Sequence, residues 1–177
     1  MYRIVLAFAT LEQHLRAVIS TPHSYRPDRC PHCGRGNLWG HGFYDRKADH
    51  SSHAELNPVP VPRFRCASCN RTCSRLPLCI GPRRWYAWAL QQLVLSLMLF
   101  GLSLRCTAAV TGLSRHTVRR WWAWLRERTE DFAFHLRSRF AELGRTADTT
   151  AFWRACFASM PLCMAMAWLD RDGLTVP

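Results

Sequence analysis

The sequence predicts a mainly α chain with one small β ribbon toward its N-terminal end. Three observations predict it. Two Cys-x-x-Cys pairs, at 30–33 and 66–69, bracket two arms, "NLWGHGFYDRK" and "NPVPVPRFR", that read as extended. An uncharged run from Trp85 to Leu104 follows, suited to a long helix over about 84 to 100. Beyond it, "LRCTAAVTGLSRHTVRRWWAWL" sets apolar residues at helical spacing on either side of a glycine.

At 177 residues the chain makes one ordinary domain or two small ones. Eight tryptophans and 49% hydrophobic residues suffice for a packed core. The formal charge of +12 points to a polyanion, either nucleic acid or an anionic membrane surface. Lys47 is the only lysine. Arginine forks suit phosphates and guanine edges, but a GC-rich genome gives the same bias. The first twenty residues are apolar early, yet Glu12, Gln13 and His14 interrupt them and no small-residue cleavage site follows, so they do not read as a secretory signal. Cysteines in a reducing compartment point to metal or redox chemistry, and nine is an odd number for a disulfide framework.

Four segments follow from these signals. Residues 1–27 form an N-terminal strand or helix, with Leu11, Leu15, Val18 and Ile19 at helical spacing and able to join the core of the tail. Residues 28–78 are a zinc ribbon. Two knuckles place Cys30, Cys33, Cys66 and Cys69 as four thiolates, the tetrahedral set that Zn²⁺ favours. Four thiolates leave no open position for water, so the ion is structural. Pro58, Pro60 and Pro62 exclude a central strand and place their arm at an edge. "ADHSSHAELN" is the loop at the hairpin tip. Free thiols and an iron–sulfur cluster stay open as alternatives, the latter because Cys73 lies close by.

Residues 79–130 are a homeodomain-like helix-turn-helix bundle. Ser103 caps a first helix, Leu104 to Val110. Gly112 permits the turn. Ser114 caps a second helix whose Val118, Trp121 and Leu125 share one face. Arg115, His116, Thr117, Arg119 and Arg120 lie opposite, where the start of a recognition helix meets the major groove. An ordinary helical hairpin with a basic solvated face is the alternative. Between Glu55 and Glu127 there are eleven arginines and no acid. A surface that is merely soluble mixes signs, whereas one that faces phosphates does not. Arg63, Arg65, Arg83 and Arg84 are accordingly read as phosphate contacts. The uncharged run also suits a membrane span, but Gln91 and Gln92 lie inside it, Gly101 stops it, and arginines flank both ends. No membrane is expected.

Residues 131–177 form a C-terminal helical segment. Asp148 or Thr149 caps a helix, and Pro161 interrupts it or starts another. Its apolar residues either pack back on the long helix or form a surface for self-association or for a partner.

"CPHCG…HGFYDRK…VPRFRCASCNRTCSRLP…GLSLRCTAAVTGLSRHTVRRWW" resembles the N-terminal zinc-ribbon and helix-turn-helix region of bacterial insertion-sequence transposases, over about residues 28 to 128. It departs from them at Cys73, where a hydrophobic residue is common. The resemblance implies Zn²⁺ on the four named cysteines, recognition of double-stranded transposon-end DNA by the helix from Ser114, and a bacterial cytoplasmic, nucleoid-associated location. It stops before the catalytic domain of such enzymes, and the remaining acids, Glu127, Glu130, Asp131, Glu142, Asp148, Asp170 and Asp172, are scattered. The expectation is a DNA-binding accessory or regulator of a mobile element without a nuclease of its own. The alternatives are a partial transposase whose catalytic portion, a separate transposase chain, lies elsewhere, or a membrane or protein-interaction module.

Overall fold

The computed structural model describes residues 3–51, 53–82 and 86–176. Among them are six α-helices and five short strands, so the chain is mainly α with a small β component. It forms two compact units, Met1–Ala87 together with Gly173–Pro177, and Trp88–Asp172.

In the first unit, β1 (Ile4–Val5) pairs in parallel with β5 (Leu76–Pro77). Helix α1 (Leu11–Ser20) opens with a capping box: the Gln13 N–H donates to the Thr10 hydroxyl, and the Gln13 side chain accepts from the Thr10 N–H. Strands β2 (Leu38–Arg46), β3 (Val59–Cys66) and β4 (Thr72–Cys73) form an antiparallel sheet in the order β2-β3-β4. An extra residue of β2 is accommodated between Gly40 and Phe43, where Gly42 takes φ 72°.

The prolines do not put β3 at an edge; it is the middle strand. The physical reason is its partial pairing. Strand β4 reaches only Phe64 and Arg65, so Pro60 and Pro62 pair with β2 alone and lose no second ladder bond.

The N-terminal helix packs on the ribbon. Leu11 and Leu15 meet Val59, Val61, Leu76 and Ile80, while Ala17 and Val18 join Tyr25, Leu38, Phe64 and the buried Cys30 and Cys66. Ile19 is left exposed. Fully buried His14 ties the helix down. Its Nε2 is 2.9 Å from the Pro60 carbonyl and its Nδ1 is 2.6 Å from the Tyr25 hydroxyl. A carbonyl only accepts, so Nε2 carries the proton and Nδ1 accepts from Tyr25. Burial lowers the His14 pKa, against the opposing pull of the Pro60 carbonyl, and raises that of Tyr25, which keeps the phenol a donor.

The second unit begins its described helices with α2 (Trp88–Leu99). That helix ends in a Schellman motif: Gly101 sits at φ 88°, its N–H reaches the Met98 carbonyl, and the Leu102 N–H reaches that of Leu97. Helices α3 (Leu104–Thr111) and α4 (Arg115–Arg139) follow. Helices α5 (Thr149–Ser159) and α6 (Leu162–Arg171) then pack back on α2, and α6 also on α4. Gln92, inside the apolar run, has a use here. Pro161 gives α6 no side-chain cap, and the Leu162 N–H donates instead to Gln92 Oε1 at 2.7 Å. The Arg154 guanidinium donates to the Leu99 carbonyl at the end of α2. Trp121, Phe132, Phe152 and Trp153 form the aromatic part of the core, with Trp153 Nε1 donating to Thr129 Oγ1 at 3.0 Å. No single helix among the described residues is long and apolar enough to cross a membrane; α5 and α6 qualify by length and composition only as a pair bent by 103°.

Candidate metal centre and nucleic-acid interface

The two knuckles are built alike. In "CPHCGR" the Cys30 N–H donates to the Arg35 carbonyl at 2.7 Å, and the Gly34 N–H donates to the Cys30 carbonyl at 2.9 Å. In "CASCNR" the Cys66 N–H reaches Arg71 at 3.0 Å, and the Asn70 N–H reaches Cys66 at 2.9 Å. Each turn needs one residue in the left-handed region. Gly34 (φ 73°) and Asn70 (φ 59°) supply it, the two residue types for which it costs least. This match was readable in the sequence as Gly-Arg and Asn-Arg directly after the second cysteine of each pair, a signal the spacing argument passed over.

The turns bring four sulfurs together. Cys30 and Cys69 are 3.7 Å apart, Cys33 and Cys66 3.6 Å, and all four Sγ atoms lie within 4.8 Å of one another. Tetrahedral Zn–S bonds of about 2.3 Å imply sulfurs separated by about 3.8 Å. The quartet therefore fits a single ion and can hold one. Cys73 stands outside it, against the neighbouring core, where burial raises its thiol pKa.

The electrostatics suit a cation. The backbone N–H groups of Cys69 and Ser68 stabilise the Cys66 thiolate and hold that thiol at about 6. At Cys33 the Arg35 backbone acts in the same direction, but burial and the three facing cysteines outweigh it and push the thiol up to about 11. Without an ion, the first proton leaves readily and later ones leave against accumulated negative charge. A central cation removes that repulsion.

In the second unit, α3 and α4 are joined by a three-residue turn. Gly112 sits at φ 67°, and the Leu113 N–H donates to the Ala108 carbonyl at 3.2 Å. Ser103 accepts from the Cys106 N–H and Ser114 from the Thr117 N–H, so both helices start where the sequence sets their caps. Val118, Trp121 and Leu125 are buried, and Ala108 lies where α3 meets α4. Arg115, His116, Arg119 and Arg120 are exposed.

Thr117 is the exception among the expected surface residues. It is 9% exposed, and its hydroxyl lies 3.0 Å from that of Ser114. The cause is its helical phase: Thr117, Trp121, Leu125 and Thr129 recur every four residues on the buried side. Arg63 and Arg65 lie on β3, both half-buried. Arg83 and Arg84 fall outside the described residues.

A family model described as "Domain of unknown function (DUF6431)" matches residues 30–121, just over half of the chain. The chain belongs to the DUF6431 family. No curated protein and no solved structure matches it. The DUF6431 match starts at the first knuckle cysteine and ends at Trp121 in the core of α4. It thus contains the whole cysteine quartet, α3, the turn and the exposed arginines at the start of α4. Helices α1, α5 and α6 lie outside it.

Proposed function

We propose that this DUF6431 protein is a zinc-dependent, sequence-specific binder of double-stranded DNA. In this reading it belongs to a mobile element and acts on transposon-end DNA as a transposition accessory or regulator. One observation carries the reading: a capped helix follows a tight turn and exposes Arg115, His116, Arg119 and Arg120 in its first two turns, while Val118 and Trp121 anchor it. In a helix-turn-helix this end of the second helix enters the major groove. Arg115 and Arg119 then read base edges, and Arg120, Arg63, Arg65, Arg83 and Arg84 meet phosphates.

Zinc is the favoured ion because the quartet is all sulfur and has room for one centre. Bound there, Zn²⁺ supplies a cross-link between the knuckles and no reactive position. The reading assigns no nuclease: Glu127, Glu130, Asp131, Glu142 and Asp148 are exposed, Asp131 lies 3.6 Å from Arg128, Asp170 is buried, and Asp172 pairs with Arg139 at 2.7 Å.

The test is a salt titration of duplex binding by the metal-loaded protein, using DNA that flanks its gene. A bidentate arginine–guanine contact gives about 1–3 kcal/mol of discrimination, so Arg119→Ala weakens specific binding by that order and relaxes preference at one position. Arg83→Ala lowers affinity for every sequence and reduces the salt slope by about one. If a folded, metal-loaded variant with alanine at 115, 119 and 120 binds duplex as tightly as the parent at every salt concentration, the reading is wrong.

A further inference from the structure

Strand alternation separates the two faces of the β2–β3 hairpin. Leu38, Phe64 and Cys66 look into one core of the first unit. On the other face Trp39 stands opposite Arg65, and Tyr44 stands opposite Val61, two residues along from Arg63. Toward the hairpin's far end Val59 and Val61 bury this face, but at the metal end it is open. There, Trp39 is 49% exposed, a large fraction for an indole. The Arg65 guanidinium carbon is 5.9 Å from the centre of its ring, and the His41 ring meets it edge-on at 5.8 Å. The Arg63 guanidinium carbon is 5.2 Å from the Tyr44 ring.

The patch therefore interleaves rings with cations. Neither arginine has an acidic partner among the described residues. The nearest acid along the strand, Asp45, pairs with Pro60 and points to the opposite face. A duplex satisfies the arginines but hides the faces of its bases. A polyanion without flat rings satisfies the arginines and leaves the aromatic rings without use. A single strand supplies both, phosphates for Arg63 and Arg65 and a flat π-face for Trp39.

We propose that this face is a stacking site for the unpaired bases of single-stranded DNA, with Trp39 as the platform, His41 beside it, Tyr44 further along the hairpin, and Arg63 and Arg65 on the phosphates. The inference rests on the DNA-binding reading and extends it from duplex to strand-separated DNA.

The test uses the full metal-loaded chain and a fluorescent fifteen-residue oligothymidylate, with an abasic oligomer of equal length as the phosphate-only probe. Trp39→Ala lowers affinity for oligothymidylate about tenfold or more, the effect of losing one stacked base, and leaves the abasic oligomer unchanged. Trp39→Phe keeps a ring and loses less. Oligothymidylate carrying 5-iodouracil cross-links on irradiation to the peptide that holds Trp39 and Tyr44. Equal affinity of parent and Trp39→Ala for oligothymidylate, or equal affinity of the parent for the abasic oligomer, overturns the proposal. If Trp39→Ala loses its metal or its fold, the cross-link decides, and its absence from this peptide overturns the proposal as well. The triple alanine variant at 115, 119 and 120 separates the two readings. Should it keep duplex binding while Trp39→Ala loses oligothymidylate, the duplex reading falls and this one stands. The converse leaves the duplex reading in place without a strand site.

Discussion

The first unit sets four cysteines within 4.8 Å of one another between strands of nine residues or fewer, whereas the second buries Trp121, Phe132, Phe152 and Trp153 among five helices. A small sheet hides too little apolar surface to balance the entropy of ordering its chain. The ribbon's two cores are correspondingly modest clusters of valine, leucine and a few aromatics. The helical unit needs no such help. The difference teaches where each unit is vulnerable: the first at its cysteine quartet, the second at its aromatic contacts.

The largest expected effect follows from that contrast. Structural Zn²⁺ binding is worth about 10–16 kcal/mol in small zinc domains, which matches or exceeds the about 5–15 kcal/mol that holds a whole domain folded. Cys30→Ser, or removal of the metal by a chelator, should unfold the first unit and leave the helical content of the second in place. Cys73→Ser should retain the metal. Elemental analysis with backbone NMR of each variant checks this. A melted second unit, or iron in place of zinc, would refute the division of labour or the identity of the ion.

The reverse test removes an aromatic from the helical unit. Trp153 is 1% exposed, donates to Thr129 and meets Phe132 and Phe152 edge-on. Trp153→Ala should cost about 3–5 kcal/mol through the cavity and the lost hydrogen bond to Thr129, whose hydroxyl keeps its bond to the Leu125 carbonyl. Urea unfolding reads the loss, and metal content should not change.

A smaller effect distinguishes the units by pH. Burial lowers the His14 pKa in the folded ribbon. The unfolded chain, with an ordinary histidine pKa of about 6.5, therefore binds this proton at a higher pH than the folded chain does. Its contribution is therefore complete above that value and is lost as pH falls below it, by at most about 1.4 kcal/mol per pH unit. Acid also releases the metal, but equally from parent and variant. The stability gap between the parent and His14→Gln should accordingly narrow between pH 7.5 and 5.5. A constant gap would mean that His14 does not titrate on unfolding.

Much of this was legible in the sequence for local reasons. Knuckle spacing names the four cysteines that come together, because each turn turns two sulfurs toward one point. Ser103, Gly101, Gly112 and Ser114 mark helix ends because capping is decided within four residues. The tail's packing on α2 follows from its apolar composition. What escaped was non-local or depended on phase. Nothing in Ile4–Val5 announces a parallel partner at Leu76–Pro77, since two-residue strands have no period to read. His14 gives no sign of reaching Pro60, forty-six positions on. The prolines mislead because the rule against central strands applies per residue, and β4 pairs only beyond them. Thr117 misleads because a polar residue beside arginines looks exposed, although counting four residues to Trp121 puts it on the buried side.

The smallest effect is expected at the end of α6. Asp172 accepts from Arg139 at 2.7 Å, and its other oxygen is 3.6 Å from His135. Arg139 lies in the last turn of α4, where the helix carbonyls favour positive charge. The Asp172 carboxylate, by contrast, sits just past the C-terminus of α6, where the same field disfavours it. Asp172→Asn removes the ion pair and that repulsion together. Arg139 keeps its second contact, over the Trp168 ring at 4.5 Å. With the arginine and the carboxylate both partly open to solvent, the pair itself is worth about 0.2–1 kcal/mol, and relief of the helix field offsets about 0.3 kcal/mol or more of it. The net change should be a loss below about 0.7 kcal/mol that shrinks as salt is added. A loss above about 2 kcal/mol at high salt would show instead that this contact organises α6, and that the helical unit, like the ribbon, leans on a polar tie.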